Sequence, residues 1–495
     1  MKDHFLLLAI LAVVAVLLFT GLGDQHLWQD EAETATLART VISHGYPRGV
    51  DDRGNVINPT IRTGLGNDLG WRYHPWGQAY IAASSIAVLG RTAFAARLPF
   101  AILGLLNILL TYLLALRLTR SRTTALLAAL LTGTSVPFIL LMRQCRYYAP
   151  AAFLTLSAIY CYQSYLDSAK RRYLWLAAAS LAALGHTVHG MFIPLFAALG
   201  AHYLFFTERK RALEVISAAL AAFLIVLPWF VYSNSGSHMT ELTLDNIRKN
   251  FEFQIRMINK FIFPAVFFGC VYAVRSFLKK DMRLRLSWDE KRSGILLGLV
   301  AAATIAVISF AKERNFRYLV YFIPLSSIVT GAILSRLYPS RKALLSVFLL
   351  LWIFTDVFFS AKPRFFLPKF IYEVTHDYDG PVEGIIKFLK TNARKDDTVK
   401  ITYGDIPVMF YTDLKVDNSK VFDNAHMPEW IVFRRWWDGA EFLNDPYFTE
   451  IAGTYKKHTL PYPDIPWENR PDDLGYHRFS TDREAPGIIV FEKAR

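Results

Sequence analysis

A succession of apolar runs, each about as long as a bilayer is thick, constrains this chain more than any other feature. A helix needs roughly 20 apolar residues to cross about 30 Å of hydrocarbon. Eleven candidate segments, two of them short, lie near residues 5–22, 98–116, 123–142, 148–166, 173–188, 190–206, 212–232, 261–278, 293–310, 317–337 and 342–360. The sequence therefore predicts an all-α polytopic membrane domain with about 11–13 transmembrane helices.

The composition agrees with a membrane protein and argues against other classes. Of the 495 residues, 53% are hydrophobic and only 19% are charged. The net charge of +14 arises from short basic clusters between the apolar runs, which is typical of charges that orient helices and not of nucleic-acid binding. Because Cys145, Cys161 and Cys270 lie in or beside apolar runs, neither a disulfide framework nor a thiolate metal site is favoured.

The positions of lysine and arginine predict which side of the membrane each loop faces. Residues 76–90 form a shorter apolar segment, which we interpret as a re-entrant or surface-lying helix. Five basic loops then share the cytoplasmic side, namely 117–122, 169–172, 208–211, 279–292 and 336–342. Since basic loops remain inside, the other loops are predicted to be extracytoplasmic.

The first predicted outer loop, residues 23–75, carries acidic residues at the edge of the membrane. Its stretch DEAETATLARTVISHG (30–45) predicts a weakly amphipathic helix on the membrane surface, with Asp30 and Glu31 in the first turn. The helix dipole also favours acidic residues in a first turn, so a structural role is one alternative. Because charges beside membrane segments usually face a cavity, we predict a catalytic site here.

Five short motifs, spread over most of the chain, carry a family resemblance. They are LWQDEAETATLARTVISHG (27–45), HPW (74–76), RQCRYYAP (143–150), HTVHG (186–190) and ERNFRYLVYFIP (313–324). Together they resemble the GT-C glycosyltransferases, above all the lipid-A aminoarabinose transferases and the protein O-mannosyltransferases. The resemblance implies a GT-C-like fold, a polyprenyl-phosphate-linked sugar donor, a lipid, glycan or protein acceptor, contact with membrane lipids and no nucleic-acid partner.

The resemblance implies that Asp30 is the catalytic base, and the chemistry agrees. Transfer with inversion needs one carboxylate to take the proton from the acceptor hydroxyl as its oxygen attacks the anomeric carbon. Phosphate leaves without an acid, so the paired carboxyl groups of glycoside hydrolysis are not required. We place Glu31 beside Asp30 in the predicted catalytic set.

The departing phosphate needs positive charge around it, and arginines at two outer helix mouths are the candidates. The predicted donor-phosphate residues, with their neighbouring tyrosines, are Arg143, Arg146, Tyr147, Tyr148, Arg314, Arg317 and Tyr318. We expect Arg146 and Arg317 to lie nearest the phosphate. Contact with lipid headgroups is the alternative for each arginine.

The sequence leaves a divalent metal open and predicts no certain cofactor. Several relatives carry a carboxylate in the second outer loop, but RQCRYYAP has none, which puts a metal in doubt. The candidate metal ligands are Glu31, His74, His186 and His189, and a buried histidine pair is the alternative for the last two. Trp71, His74 and His189 are the predicted substrate-binding residues.

The composition changes beyond residue 360, which predicts a transmembrane catalytic domain over 1–360 and a soluble extracytoplasmic α/β domain over 361–495. Residues 381–405 predict an amphipathic helix followed by a strand, and EWIVFRR (429–435) and GIIVFEK (487–493) predict further strands. Three tryptophans of this domain either stack on sugars or, as we favour, build its core: Trp436, Trp437 and Trp467. The polar loop 233–260 is either a lid or a passive connection.

We therefore expect an inverting glycosyltransferase in a bacterial or archaeal cytoplasmic membrane. Nucleotide sugars are made in the cytosol and the chain has no nucleotide-binding motif, so an outer site favours a lipid-linked donor. A polyprenyl-pyrophosphate-dependent glycan ligase or polymerase is an alternative, because the same arginines would hold a pyrophosphate. A lipid-linked-sugar transporter or flippase, which should show inverted repeats, and a non-catalytic assembly partner are the others.

Overall fold

The computed structural model describes residues 2–494 with several internal stretches left out. The omitted stretches are 59–64, 66, 208–210, 234–242, 279–287, 313, 337–341, 360–364, 377–379, 402, 420–426, 436–445 and 466–484. The chain divides into two compact units. Unit 1 consists of Met1–Phe19, Ala101–Arg143 and Tyr147–Ile371, and unit 2 consists of Thr20–Phe100, Gln144–Arg146 and Tyr372–Arg495.

Most of the described residues are helical. The α-helices, in chain order, are α1 (Lys2–Phe19), α2 (Gln29–His44), α3 (Gly77–Leu89), α4 (Ala93–Thr119), α5 (Arg122–Gly133), α6 (Val136–Met142), α7 (Tyr148–Ser168), α8 (Arg171–Gly185), α9 (His189–Phe206), α10 (Ala212–Tyr232), α11 (Leu244–Met257), α12 (Ala265–Leu278), α13 (Trp288–Ile308), α14 (Phe322–Ser335), α15 (Lys342–Phe354), α16 (Phe366–Thr375), α17 (Pro381–Asn392), α18 (Asp405–Tyr411) and α19 (Pro446–Ile451). A π-helical turn, Ile258–Ile262, follows α11, and a 3₁₀ turn, Phe316–Leu319, precedes α14.

Several of these helices are long and apolar enough to cross a bilayer. Among the described residues, α4, α9, α10 and the Lys291–Ile308 part of α13 qualify alone, and two bent pairs, α5 with α6 and α11 with α12, raise the number to six. Shorter apolar helices include α3, α14 and α15. The chain is therefore a multi-pass membrane protein, and the total of 11–13 spans stays a prediction.

The predicted continuous span over 123–142 is broken. Helices α5 and α6 are bent by 69° relative to each other, and Ser135 between them is extended, with φ −71° and ψ 106°. Pro137 accounts for the break, because a proline inside a continuous helix would remove one backbone hydrogen bond and clash with the preceding turn. In the first turn of α6 the missing N–H costs nothing.

The segment 233–260 is not the loop that the sequence predicts, because α11 occupies Leu244–Met257. The Thr243 side chain begins this helix by accepting a hydrogen bond from the Asn246 N–H, 3.2 Å away. The Asn250 amide then donates to the Ser309 carbonyl oxygen at 2.8 Å, just beyond the end of α13. Helix α11 is therefore fixed to unit 1 in the described part of this segment.

Unit 2 contains a five-stranded sheet with the strand order β2-β1-β3-β5-β4. The strands are β1 (Thr398–Ile401), β2 (Lys415–Asp417), β3 (Trp430–Phe433), β4 (Tyr455–Pro463) and β5 (Gly487–Lys493). Strand β1 is parallel to β2 and β3, with Val399 opposite Val416 and Trp430, whereas β5 is antiparallel to β3 and β4. This sheet with α17 and α18 confirms the predicted small α/β domain. The tryptophans Trp436, Trp437 and Trp467 lie outside the described residues.

Helix α2 belongs to the interior of unit 2, with protein around most of its length. It packs against α3 and α18, and its Ala32, Ala35 and Ala38 are fully buried. The many small residues allow close approach on both sides, which explains why the sequence pattern is only weakly amphipathic. The helix ends as predicted at Gly45, whose φ of 83° is left-handed.

Candidate active site

The first two turns of α2 carry three carboxylates whose surroundings differ. The exposed fraction of the side chain is 27% for Asp30, 0% for Glu31 and 9% for Glu33. Successive helical residues point about 100° apart, so neighbours in this stretch necessarily face different parts of unit 2. Of the three carboxylates, that of Asp30 is the most accessible to a substrate.

The Glu31 carboxylate is held by Arg97 in a two-pronged ion pair. Arg97 Nε donates to Oε1 at 2.8 Å and Arg97 Nη2 donates to Oε2 at 2.7 Å. The Cys145 backbone N–H also donates to Oε1 at 2.9 Å. Arg97 further donates to backbone carbonyl oxygens of the chain entering α2, those of Leu22, Gln25 and His26. Both oxygens of Glu31 are thus engaged by structural partners.

The Glu33 carboxylate lies between a histidine and an arginine. His74 Nε2 donates to Glu33 Oε1 at 2.8 Å, and Arg146 Nη1 donates to the same oxygen at 2.9 Å. Trp71 Nε1, which can only donate, is 3.2 Å from His74 Nδ1. His74 Nδ1 is therefore the acceptor and Nε2 carries the proton, so both ring nitrogens are in use.

The charge on Glu33 is strongly stabilised. Burial alone would raise the pKa of Glu33, but the hydrogen bond from His74 and the guanidinium of Arg146 outweigh it and lower the pKa to about 2. A carboxylate with so low a pKa is a weak proton acceptor at neutral pH. Glu33 consequently fits the role of a fixed negative charge better than that of a base.

Asp30 lies beside Arg146 with its carboxylate partly open. Arg146 Nη2 is 3.7 Å from Asp30 Oδ2, and Arg146 Nη1 donates to the Asp30 backbone oxygen at 3.0 Å. The Thr34 hydroxyl accepts a further hydrogen bond from Nη1 at 3.1 Å. Arg146 therefore links Asp30 to Glu33 across one face of α2, which is an arrangement that the sequence alone does not predict.

In unit 1, Arg143 supports the end of α1. Its Nη1 donates to the carbonyl oxygens of Leu17 and Leu18 at 2.9 and 2.8 Å, and its guanidinium lies 5.7 Å from the centre of the Phe370 ring. Cations commonly bind the free carbonyls at a helix C-terminus. Arg143, although only three residues from Arg146, is thus in a different compact unit with a structural environment.

The two arginines of the second predicted pair, Arg314 and Arg317, also have different environments within unit 1. Arg317 Nη1 donates to the hydroxyl of the buried Tyr148 at 3.0 Å, and the Tyr147 ring meets the Tyr148 ring edge to face at 4.7 Å. Arg314 is exposed, and its Nε donates to Asn250 Oδ1 on α11 at 2.7 Å. Tyr318 lies in the same 3₁₀ turn as Arg317 and is half-buried.

The predicted histidine pair does not form a metal site with other ligands in the described chain. His186 Nε2 is 3.2 Å from the Ile225 carbonyl oxygen, and the His189 ring lies 4.9 Å from the Phe230 ring. Among the described residues no group of three His, Cys, Asp or Glu side chains is placed to hold a metal ion. Glu31 and His74, the other candidate ligands, belong to unit 2 and are engaged as described above.

Sequence reasoning missed several residues that support Asp30. Glu33 could have been found, because it lies one helical turn from Asp30, and Arg97 stands out as a lone charge in an apolar run. The contacts of Gln29 with Asp405 and of Glu33 with His74 join residues far apart in sequence. No local pattern indicates such pairs.

Comparisons with known proteins agree with this architecture. Residues 73–232 match the family model described as dolichyl-phosphate-mannose-protein mannosyltransferase. An uncharacterised protein of Aquifex aeolicus is 27% identical over 346 residues, which cover 68% of this chain and 64% of that protein.

The solved structures that resemble the chain share its fold at low sequence identity. ArnT from Cupriavidus metallidurans in the apo state gives a TM-score of 0.63 at 14% identity, with 99% of this chain and 98% of that chain covered. ArnT bound to undecaprenyl phosphate gives 0.59 at 14% identity, with 98% and 97% covered. The oligosaccharyltransferase AglB from Archaeoglobus fulgidus, in complex with an inhibitory peptide and a dolichol-phosphate, gives 0.52 at 11% identity, with 83% and 64% covered. Together, these comparisons show that the chain shares the fold of the ArnT and AglB structures and that residues 73–232 resemble the mannosyltransferase family, in agreement with the resemblance drawn from the sequence motifs.

Proposed function

We propose that this protein is an inverting glycosyltransferase that moves a sugar from a polyprenyl-phosphate donor to a hydroxyl group of a lipid, glycan or protein acceptor on the extracytoplasmic face. The observation that carries the proposal is the state of three neighbouring carboxylates. The side chain of Glu31 is 0% exposed and that of Glu33 is 9% exposed, whereas that of Asp30 is 27% exposed and so the most accessible to an acceptor. The family match and the undecaprenyl phosphate bound to ArnT support the donor class.

The reaction needs one base and one stabilised leaving group. The Asp30 carboxylate takes the proton from the acceptor hydroxyl while that oxygen forms a bond to the anomeric carbon. The bond from the anomeric carbon to the phosphate oxygen breaks on the opposite face, and the electron pair leaves with polyprenyl phosphate. Attack opposite the leaving group inverts the configuration, and Asp30 then returns its proton to water.

The arginines divide between holding the base and holding the donor. We assign Arg146 to orient Asp30, because its Nη1 donates to the Asp30 backbone oxygen and its Nη2 lies 3.7 Å from the carboxylate. Within unit 1 the Arg317 guanidinium is held by the Tyr148 hydroxyl, and its expected contact with the donor phosphate stays a prediction. Arg143 is engaged by the end of α1, so we assign it a structural role.

We assign structural roles to the other predicted site residues of unit 2. Trp71 orients His74, and His74 holds Glu33, so neither is required to contact the sugar directly. The ligand set proposed for a divalent metal fits poorly, because both nitrogens of His74 and both oxygens of Glu31 have protein partners. We therefore propose a mechanism without a metal and predict that EDTA leaves the transfer rate unchanged.

A donor panel tests the proposed function. Wild type and Asp30→Asn are reconstituted in lipid nanodiscs and incubated with labelled polyprenyl-phosphate sugars and a membrane extract as the acceptor source. We expect wild type to release polyprenyl phosphate from at least one donor and Asp30→Asn to release none above background. Release of polyprenyl pyrophosphate from a pyrophosphate-linked donor would favour the ligase or polymerase alternative. Movement of intact donor across liposomes without any release would favour a flippase.

A further inference from the structure

The residue that precedes Asp30 is held at both ends of its side-chain amide. Gln29 Nε2 donates to Asp405 Oδ1 at 2.6 Å, and the Gly404 backbone N–H donates to Gln29 Oε1 at 3.2 Å. Gln29 is the first residue of α2, and Asp405 is the first residue of α18. The start of the catalytic helix is thus bound to the start of a helix that follows it by more than 350 residues.

Asp405 is itself part of a buried polar network. Its side chain is 3% exposed, and its second oxygen, Oδ2, accepts a hydrogen bond from Asn418 Nδ2 at 2.8 Å. Asn418 Nδ2 also donates to the Val56 backbone oxygen in the first outer loop at 2.9 Å. Buried polar groups rigidify a site when all of them are satisfied, and this network connects Gln29, at the start of α2, with Val56, which follows the end of α2.

Neighbouring contacts anchor the residues just before Gln29. The Leu27 N–H donates to the Tyr411 hydroxyl at 2.9 Å, at the end of α18. The His26 N–H donates to Glu383 Oε1 on α17 at 2.6 Å, and the His26 ring is also paired with Glu383. Three of the four residues that lead into Asp30 are therefore fixed by the C-terminal α/β domain.

We propose that Asp405 is a positioning residue for Asp30 and that the C-terminal α/β domain thereby belongs to the catalytic apparatus. The inference rests on the proposed function, because it treats Asp30 as the base. A base must lie within hydrogen-bond reach of the hydroxyl that it deprotonates, and small displacements of a reacting group are costly. Asp405 acts through Gln29, so its loss should lower kcat and leave the affinity for the donor unchanged.

The substitution Asp405→Asn tests this chain of contacts. An asparagine retains one acceptor oxygen, so its amide nitrogen must face a donor, either Gln29 Nε2 or Asn418 Nδ2. We expect kcat to fall about tenfold, with the donor KM within about twofold of wild type. The double variant Gln29→Glu with Asp405→Asn reverses the donor–acceptor pair between positions 29 and 405 and leaves Asn418 with both of its partners, so we expect it to recover much of the lost kcat.

Asp413→Asn is the matched control. Asp413 lies two residues beyond α18, is 49% exposed at its side chain and pairs with Arg91 at 3.1 Å. The substitution Asp413→Asn removes one negative charge from the same domain and leaves the contacts of Gln29 in place. The kcat of this variant should therefore equal that of wild type. A kcat for Asp405→Asn that also equals wild type would overturn the proposal. A loss of kcat that the double variant does not relieve, and that is accompanied by a lower melting temperature, would also overturn the proposal. A general folding role of Asp405 explains such a result.

Hydrogen–deuterium exchange, measured without substrate, separates this inference from the proposed function. In Asp405→Asn, peptides covering residues 26–36 should exchange faster than in wild type, whereas Asp413→Asn should leave them unchanged. If no donor turns over in wild type, the proposed function fails, yet faster exchange still supports the anchoring of α2. Unchanged exchange in Asp405→Asn contradicts the anchoring whatever the transfer assay gives.

Discussion

Asp30 and Glu31 are neighbours in the chain, yet their carboxylates meet different surroundings. Glu31 is enclosed with Arg97 and Asp30 is partly open. A buried charge that loses its partner is strongly destabilising, whereas a partly exposed carboxylate tolerates replacement by its amide. Stability and catalysis should therefore respond to different members of this pair.

Glu31→Gln is expected to lower stability. The change leaves the buried Arg97 guanidinium without its counter-charge, and breaking such a pair costs about 3–5 kcal/mol. Thermal unfolding in detergent, with Asp30→Asn as the adjacent control, measures the difference. A melting temperature of Glu31→Gln equal to that of wild type would show that the Arg97 contact contributes little.

The stability contributed by Asp405 is expected to depend on pH. Burial raises the pKa of Asp405 from 3.8 to about 6 in the folded chain, although the Gln29 and Asn418 hydrogen bonds oppose the shift. Between pH 4 and 6 the unfolded chain loses the Asp405 proton before the folded chain does. The contribution of Asp405 to the free energy of unfolding therefore falls by up to about 3 kcal/mol as the pH rises. Above pH 6 the contribution is constant.

Melting temperatures of wild type and Asp405→Asn, measured from pH 5 to 7.5, check this dependence. The difference between the two variants should change between pH 5 and about 6.5, in favour of Asp405→Asn as the pH rises, and then level off. A difference that stays constant over the whole range would mean that the carboxyl group titrates normally in the folded chain.

The roles of single residues are predictable from the sequence only where they rest on local chemistry. Asp30 can be proposed as the base from the acidic motif, because its position in the first turn of a helix is a local property. The ion pairs of Glu31 with Arg97 and of Glu33 with His74 and Arg146 arise when α2 is enclosed in unit 2. Such long-range pairs decide which carboxylate is open, and no single motif contains that information.

At the scale of elements, the sequence predicts the ends of helices where turn residues mark them. It does not predict strands that lack a clear alternation of apolar and polar residues. Gly45 ends α2 as predicted, and α17, β1, β3 and β5 occur where the apolar patterns indicate them. Strand β2 has three residues and β4 reads YKKHTLPYP, so neither shows a clear alternation. Both lie at the edges of the sheet, where charged residues and proline are common. Helix α11 does carry a helical pattern, because Leu244, Ile247, Phe251 and Ile255 recur at helical spacing, and only its polar composition favours a loop.

Two glycine substitutions compare the backbone strain at the end of α2 with an ordinary helical position in α9. Gly45 has a left-handed φ of 83° and nothing within 4 Å of an added Cβ, so Gly45→Ala meets only backbone strain and should destabilise by about 1 kcal/mol. Gly200 lies inside α9 with equally open space and ordinary φ, so Gly200→Ala should stabilise by about 0.5–1 kcal/mol. Unfolding by denaturing detergent gives both values. Equal effects of the same sign would contradict the assigned conformation of Gly45.

At the scale of the whole molecule, the order of segments along the chain does not match the division into compact units. The predicted boundary at residue 360 lies close to the end of unit 1 at Ile371, but the first outer loop groups with the C-terminal domain in unit 2. A boundary read from composition follows the chain and cannot indicate that two distant segments fold together. The number of apolar runs and the basic loops nevertheless predict a multi-pass membrane protein correctly.

Cysteine labelling tests the predicted orientation. In a chain whose native cysteines are replaced, Arg122→Cys at the start of α5 should react with a membrane-impermeant maleimide only after the cells are permeabilised, because basic loops face the cytoplasm. Asp52→Cys in the first outer loop should react in intact cells. The opposite labelling pattern would reverse the orientation and remove the argument for a lipid-linked donor.

The central claim is that Asp30 is the base of a glycosyl transfer, and kcat for the release of polyprenyl phosphate tests it most directly. It should be measured in nanodiscs at saturating donor and acceptor for wild type and Asp30→Asn, with both melting temperatures recorded. We predict a loss of about 10²-fold or more in kcat with an unchanged melting temperature, as expected for the removal of a general base. A folded Asp30→Asn protein with the wild-type kcat would contradict the account.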